Sequence, residues 1–96
     1  IWEYPMVSVN NPLFAEMESK GWLLKDKNGK AFRYHWDMEP FGKVLTPLPP
    51  SGIVDFTHPD AYAYWHDRHK ELFDLGIDMI KADFGEQVTD DMVAYN

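Results

Sequence analysis

The residues best suited to chemistry lie in one run, Asp78-Met79-Ile80-Lys81-Ala82-Asp83-Phe84-Gly85-Glu86. In extended chain alternate residues share a face, so Lys81 and Asp83 point the same way, roughly 6–7 Å apart. An ammonium at that distance favours the ionised form of the Asp83 carboxyl. An ionised carboxylate on a rigid strand is a competent nucleophile toward the anomeric carbon of a glycoside. On spacing alone a Lys-x-Asp pair is more often a plain surface ion pair. The surrounding elements and motifs must therefore decide between the two.

Those elements read as α/β. Helical spacing of Tyr62, Trp65, His69, Leu72 and Phe73 predicts a helix that Thr57-His58-Pro59-Asp60 opens and Gly76 ends, running to about residue 75. The apolar stretch after it predicts a buried strand over 77–83, and helix, short loop, strand is the pattern of a parallel sheet. Lys81 and Asp83 would then stand at the strand's C-terminal end, where parallel α/β barrels keep their catalytic groups. Upstream, the opening residues 1–9 predict a short strand and extended chain, broken by Pro5. Asn11-Pro12 predicts a helix start, with a short helix over 13–20 and Gly21 as its left-handed stop. Asn28-Gly29 is a hairpin-turn signal between Trp22-Leu23-Leu24 and the alternating Phe32, Tyr34 and Trp36. Residues 37–53 carry Pro40, Gly42, Pro47, Pro49, Pro50 and Gly52, which predicts a long loop, neither helix nor ladder. Val54, Asp55 and Phe56 follow as a possible short strand.

Composition excludes several function classes. The 96 residues suffice for one small domain, and a net charge of −7 without a basic run argues against nucleic-acid binding. With no Cys, disulfides, thiolate chemistry and Cys-based zinc sites are excluded. No apolar stretch approaches ~20 residues, so no membrane span is expected. No signal peptide is visible, and the cytoplasm is the expected compartment. An initial Ile and a final Asn without a closing element suit a piece of a longer chain.

Motif order is more specific than any of this. Lys81-Ala82-Asp83-Phe84-Gly85-Glu86 resembles the nucleophile motif of glycoside hydrolase family 31, in the version typical of its α-xylosidase branch. Val54-Asp55-Phe56-Thr57-His58-Pro59 is similar to the family's Asp-Phe-Thr-Asn-Pro, with His58 in place of Asn. Ile1-Trp2-Glu3-Tyr4-Pro5 and Pro12-Leu13-Phe14 resemble its Trp-x-Asn-Pro and Ser-Pro-Leu-Phe. Lys20-Gly21-Trp22-Leu23-Leu24-Lys25, then Asn28-Gly29, is similar to its Lys-Gly-Tyr-Leu-Leu-Lys and Asp-Gly hairpin. The resemblance covers nearly the whole chain in the right order.

It implies a (β/α)₈ TIM barrel, of which residues 1–96 would be a fragment running from the end of the third strand to just past the fourth. A small hairpin excursion would occupy a long βα loop. It implies a retaining α-glycosidase acting on terminal α-glycosides, α-xylosides slightly favoured, with α-glucosidase or sulfoquinovosidase as alternatives. By the same resemblance Asp83 is the nucleophile, Lys81 lines the sugar pocket, Trp2 packs on the sugar and Phe84 lies beside the nucleophile. The second carboxyl group that retention requires would come from beyond Asn96, so the fragment alone would be inactive. Tyr4 replaces the usual Asn, Thr89 stands where relatives often have Pro, and the 37–53 loop is longer than expected.

From another class, the chain could be a carbohydrate-binding module whose aromatics stack on sugars. Trp22, Phe32, Tyr34 and Trp36 could supply such a platform, although packing of the hairpin is the commoner role. His66 and His69, three apart on the helix, lack a third ligand, so neither a metal nor a cofactor is expected. His69 reads instead as a packed histidine and Trp65 as a helix-to-sheet contact. The expected partner is an oligosaccharide or glycoside substrate. Unpartnered edges and apolar faces predict a homo-oligomer.

Overall fold

The computed structural model describes residues 1–36, 49–82, 88–89 and 91–95. Strands β1 (Trp2–Glu3) and β2 (Met6–Ser8) precede helix α1 (Pro12–Lys20). Strand β3 (Ser51–Ile53), helix α2 (Pro59–Asp74) and strand β4 (Lys81–Ala82) follow. They form two small sheets, a parallel pair of β1 with β4 and an antiparallel pair of β2 with β3.

Local chemistry explains most boundaries. Pro5 separates β1 from β2, because a residue without an N–H cannot continue a ladder. At the start of α1 the Asn11 side chain accepts from Leu13 N at 2.9 Å, and Pro12 fills the first turn. Gly21 then ends the helix at φ 74, a left-handed conformation that costs a residue without Cβ little. Helix α2 is capped by His58, whose Nδ1 accepts from Asp60 N at 3.1 Å. In the hairpin, Asp26 Oδ1 accepts from Asn28 N and Lys30 N, and Asp26 N donates to Lys30 O. Beyond that turn the hairpin holds isolated bridges rather than long strands: Lys25 to Ala31, Leu23 to Val54 and Tyr34 to Ser51. Along 32–36 exposure alternates, with Phe32, Tyr34 and Trp36 turned inward.

Two expectations need correction. Residues 51–53 do not belong to the loop; past Pro50 each residue again has a donor, and Ser51–Ile53 pairs with β2. Among its described residues, 77–82, the expected strand is regular only at Lys81–Ala82, since a ladder extends only as far as its neighbour and β1 is two residues long. Backbone bonds from the Ile1 amino group to Met79 O and from Lys81 N to Ile1 O continue the pairing upstream. Residues 37–48 of the loop, and Asp83, Phe84 and Glu86, lie outside the described residues.

One core cluster joins Val7, Phe14, Met17, Leu23, Ala31, Val54 and Ala61, with Trp22 and Trp65 against it. A second joins Met6, Leu24 and Ile53, flanked by Tyr34 and Trp36. Gly52 lies where α1 approaches β3. A Cβ there would meet Phe14 Cε2 and Leu23 Cδ1, each at 2.8 Å. The predicted stripe of α2 is only partly covered: Trp65, His69 and Leu72 are half-buried, but Tyr62 and Phe73 are exposed. Among the described residues no helix is long and apolar enough to cross a membrane.

Candidate active site

The β1–β4 pair brings together two of the four residues singled out in the sequence. Trp2 and Lys81 are register partners in the parallel ladder, and Glu3 faces Ala82 in the next step. Partners in a parallel pair project to the same side of the sheet, so Trp2 and Lys81 share one face although almost the whole chain separates them. Trp2 is 54% exposed, and Tyr4 lies beside it with ring centroids 5.5 Å apart at 46°. This face therefore presents an aromatic pair next to an ammonium group. Asp83 and Phe84, the other two, follow β4 in sequence but lie outside the described residues.

The opposite face is built differently. Glu3, one residue on from Trp2, turns to α2 and meets His69. His69 Nε2 lies 2.7 Å from Glu3 Oε2 and 2.9 Å from Oε1, and its Nδ1 lies 2.7 Å from Trp65 O. A neutral imidazole has one N–H, whereas both ring nitrogens here face acceptors; only the imidazolium satisfies both. The bond to the Trp65 carbonyl, chiefly, and then the Glu3 carboxylate raise the His69 pKa against the opposing effect of burial. The pair ties β1, and with it Trp2, to the middle of α2.

His69 is thus packed, as its place on the helix suggested, but its partner is Glu3. No local signal in the sequence joins the two, which are 66 positions apart. His66 points elsewhere and approaches Asp67 at 3.6 Å. Among the described residues no group of three or more His, Cys, Asp or Glu could hold a metal ion.

Sequence reasoning also passed over Asp55, which is 1% exposed. Its Oδ1 accepts from Thr57 N at 3.0 Å and Thr57 Oγ1 at 2.6 Å, and its Oδ2 accepts from Tyr95 N at 2.7 Å. The Asp-x-Thr spacing before a helix start was a legible signal for the first two bonds. The third depends on a segment far along the chain.

Residues 1–95 match the model of the glycosyl hydrolases family 31 TIM-barrel domain. The chain belongs to glycoside hydrolase family 31. Over 88 residues, 92% of its length, it is 38% identical to the alpha-xylosidase XylQ of Lactiplantibacillus pentosus, and over 93 residues, 96% of its length, 31% identical to a sulfoquinovosidase of Escherichia coli. It spans 10% and 12% of these two relatives. A family 31 sulfoquinovosidase from E. rectale, solved with an aza-sugar inhibitor, superposes with a TM-score of 0.74 at 30% identity, covering 98% of this chain and 13% of that one. For this family 31 chain the two small sheets stand in a TIM-barrel context, as the resemblance implied.

Proposed function

We propose that this family 31 chain is the nucleophile-bearing part of a retaining glycosidase that hydrolyses terminal α-glycosides. It would supply the end of the third barrel strand through the fourth strand. The observation that carries this reading is the register of Trp2 with Lys81 on one face, immediately before Asp83 in sequence. In this mechanism an Asp83 carboxylate oxygen attacks the anomeric carbon as the bond to the leaving group breaks. A second carboxyl group, outside this stretch, protonates the departing oxygen. The same group, now a base, activates the water that cleaves the glycosyl ester and restores Asp83. Trp2 offers a ring face to the sugar, and Lys81 supports the charge of Asp83 while donating hydrogen bonds to hydroxyls. Phe84 adds an apolar wall beside the nucleophile.

α-Xylosides are the favoured substrates, on the α-xylosidase form of the motif and the similarity to XylQ. α-Sulfoquinovosides form the second reading, supported by the E. coli and E. rectale relatives. Comparison of kcat/KM for aryl α-xyloside and aryl α-sulfoquinovoside with the intact enzyme separates them. The nucleophile is tested by trapping the enzyme with a slow fluorinated glycosyl donor and mapping the label by mass spectrometry. Label is expected on the peptide holding Asp83, and Asp83→Asn should lose several orders of magnitude in rate while still binding sugar. Label on another carboxylate, or full activity in Asp83→Asn, would refute the assignment.

A further inference from the structure

We propose that Asp55 is a positioning residue for the glycosidase reaction, holding Tyr95, which follows β4 later in the sequence, against the entrance to α2. The consequence for catalysis rests on the function proposed above; the tether itself does not. A carboxylate this deeply enclosed must recover its lost hydration through hydrogen bonds. It does so by bridging two parts of the molecule. Oδ1 takes the amide and hydroxyl of Thr57, and Oδ2 takes the Tyr95 amide from 40 positions away. The backbone of Asp55 is itself anchored, since its N donates to Trp22 O at 2.8 Å and its O accepts from His58 N at 3.1 Å. Two further contacts fix the same returning segment. Lys25 and Val93 exchange backbone hydrogen bonds of 2.8 and 2.7 Å, and the Tyr95 ring lies 4.4 Å from that of His58.

Anchors thus stand on both sides of the motif in sequence, at β4 through the ladder with β1 and at Val93 and Tyr95 through Lys25 and Asp55. In sequence Asp83 lies between these anchors. The turn before α2 alone would engage only Oδ1 and Thr57. The use of Oδ2 on Tyr95 couples the α2 entrance to the stretch that follows the nucleophile. Loss of an acceptor here leaves a partly buried amide unpaired and releases the far anchor. Small displacements of a reacting group have large kinetic effects.

The experiment uses the intact enzyme and the slow fluorinated donor, reading the rate constant for labelling Asp83 at saturating donor. This constant is insensitive to the fraction of protein folded, so loss of stability alone does not move it. Asp55→Asn and Tyr95→Pro each disturb the Oδ2 contact, the second without touching Asp55, which covers the case in which one fails to fold. Both should label at least about tenfold more slowly with the half-saturating donor concentration little changed, whereas Thr57→Val should label at nearly the wild-type rate. Wild-type rates in the Asp55→Asn or Tyr95→Pro enzyme would overturn the proposal, as would equal slowing in Thr57→Val. If the wild type is labelled on another carboxylate, the nucleophile assignment fails separately. The tether is then judged by hydrogen exchange over residues 91–95, where lost protection in Asp55→Asn supports it and retained protection overturns it.

Discussion

At the scale of single residues, the Glu3–His69 pair has a pH signature. The folded-state pKa of His69 is raised above the ordinary 6.5, so its contribution to stability is complete below that value and is lost as pH rises through the raised one. The thermal midpoint of the intact protein should fall over that interval, and in His69→Gln this component of the fall should vanish. An unchanged profile in the variant would remove the pair from the account of how β1 is held. Residue-scale legibility depended on distance along the chain. Lys81 and Trp2 were identified through motifs that surround them in sequence, and their juxtaposition follows from a ladder that no motif displays. Glu3 drew no notice because its meaning lies in a helix residue 66 positions away. Asp55 was half legible, in its Asp-x-Thr spacing and not in its bond to Tyr95.

Among the elements, those defined by neighbouring residues were readable and those defined by distant partners were not. Asn11, Pro12 and Gly21 bounded α1, and His58-Pro59 opened α2, because caps and turns act over a few residues. Strand β3 was missed because its proline-rich approach reads as loop, while its ladder partner β2 lies near the start of the chain. The same strand carries a strict requirement at Gly52, between Phe14 and Leu23. Gly52→Ala should destabilise the protein by about 1–3 kcal/mol, as overpacking does, and Gly29→Ala provides a contrast. At Gly29 a Cβ meets nothing within 4 Å, and its cost comes from the positive φ of 82 alone. Denaturant midpoints that were unchanged in Gly52→Ala would show that α1 can move away from β3 freely.

For the molecule as a whole, burial is uneven. The α1, hairpin and β2–β3 side contains most of the enclosed apolar residues, whereas Phe73 is 51% and Leu75 82% exposed at the end of α2. In a barrel such a helix face meets neighbouring helices. The 96-residue chain by itself should therefore self-associate, read by sedimentation velocity across a concentration series. A monomer that unfolds cooperatively would show that the uncovered faces are tolerated. The barrel context was legible because motif order survives where single contacts do not. The parallel pairing of β1 with β4 has one more consequence, which concerns time. It closes a loop of nearly the entire chain, the entropically costliest closure in the molecule, whereas the α1 and hairpin contacts are short-range. Folding should thus begin around α1 and the hairpin and finish with the joining of β1 to β4. Trp2 and Lys81 would come side by side only in that last event, so the surface proposed to bind sugar exists only in chains that have completed their folding.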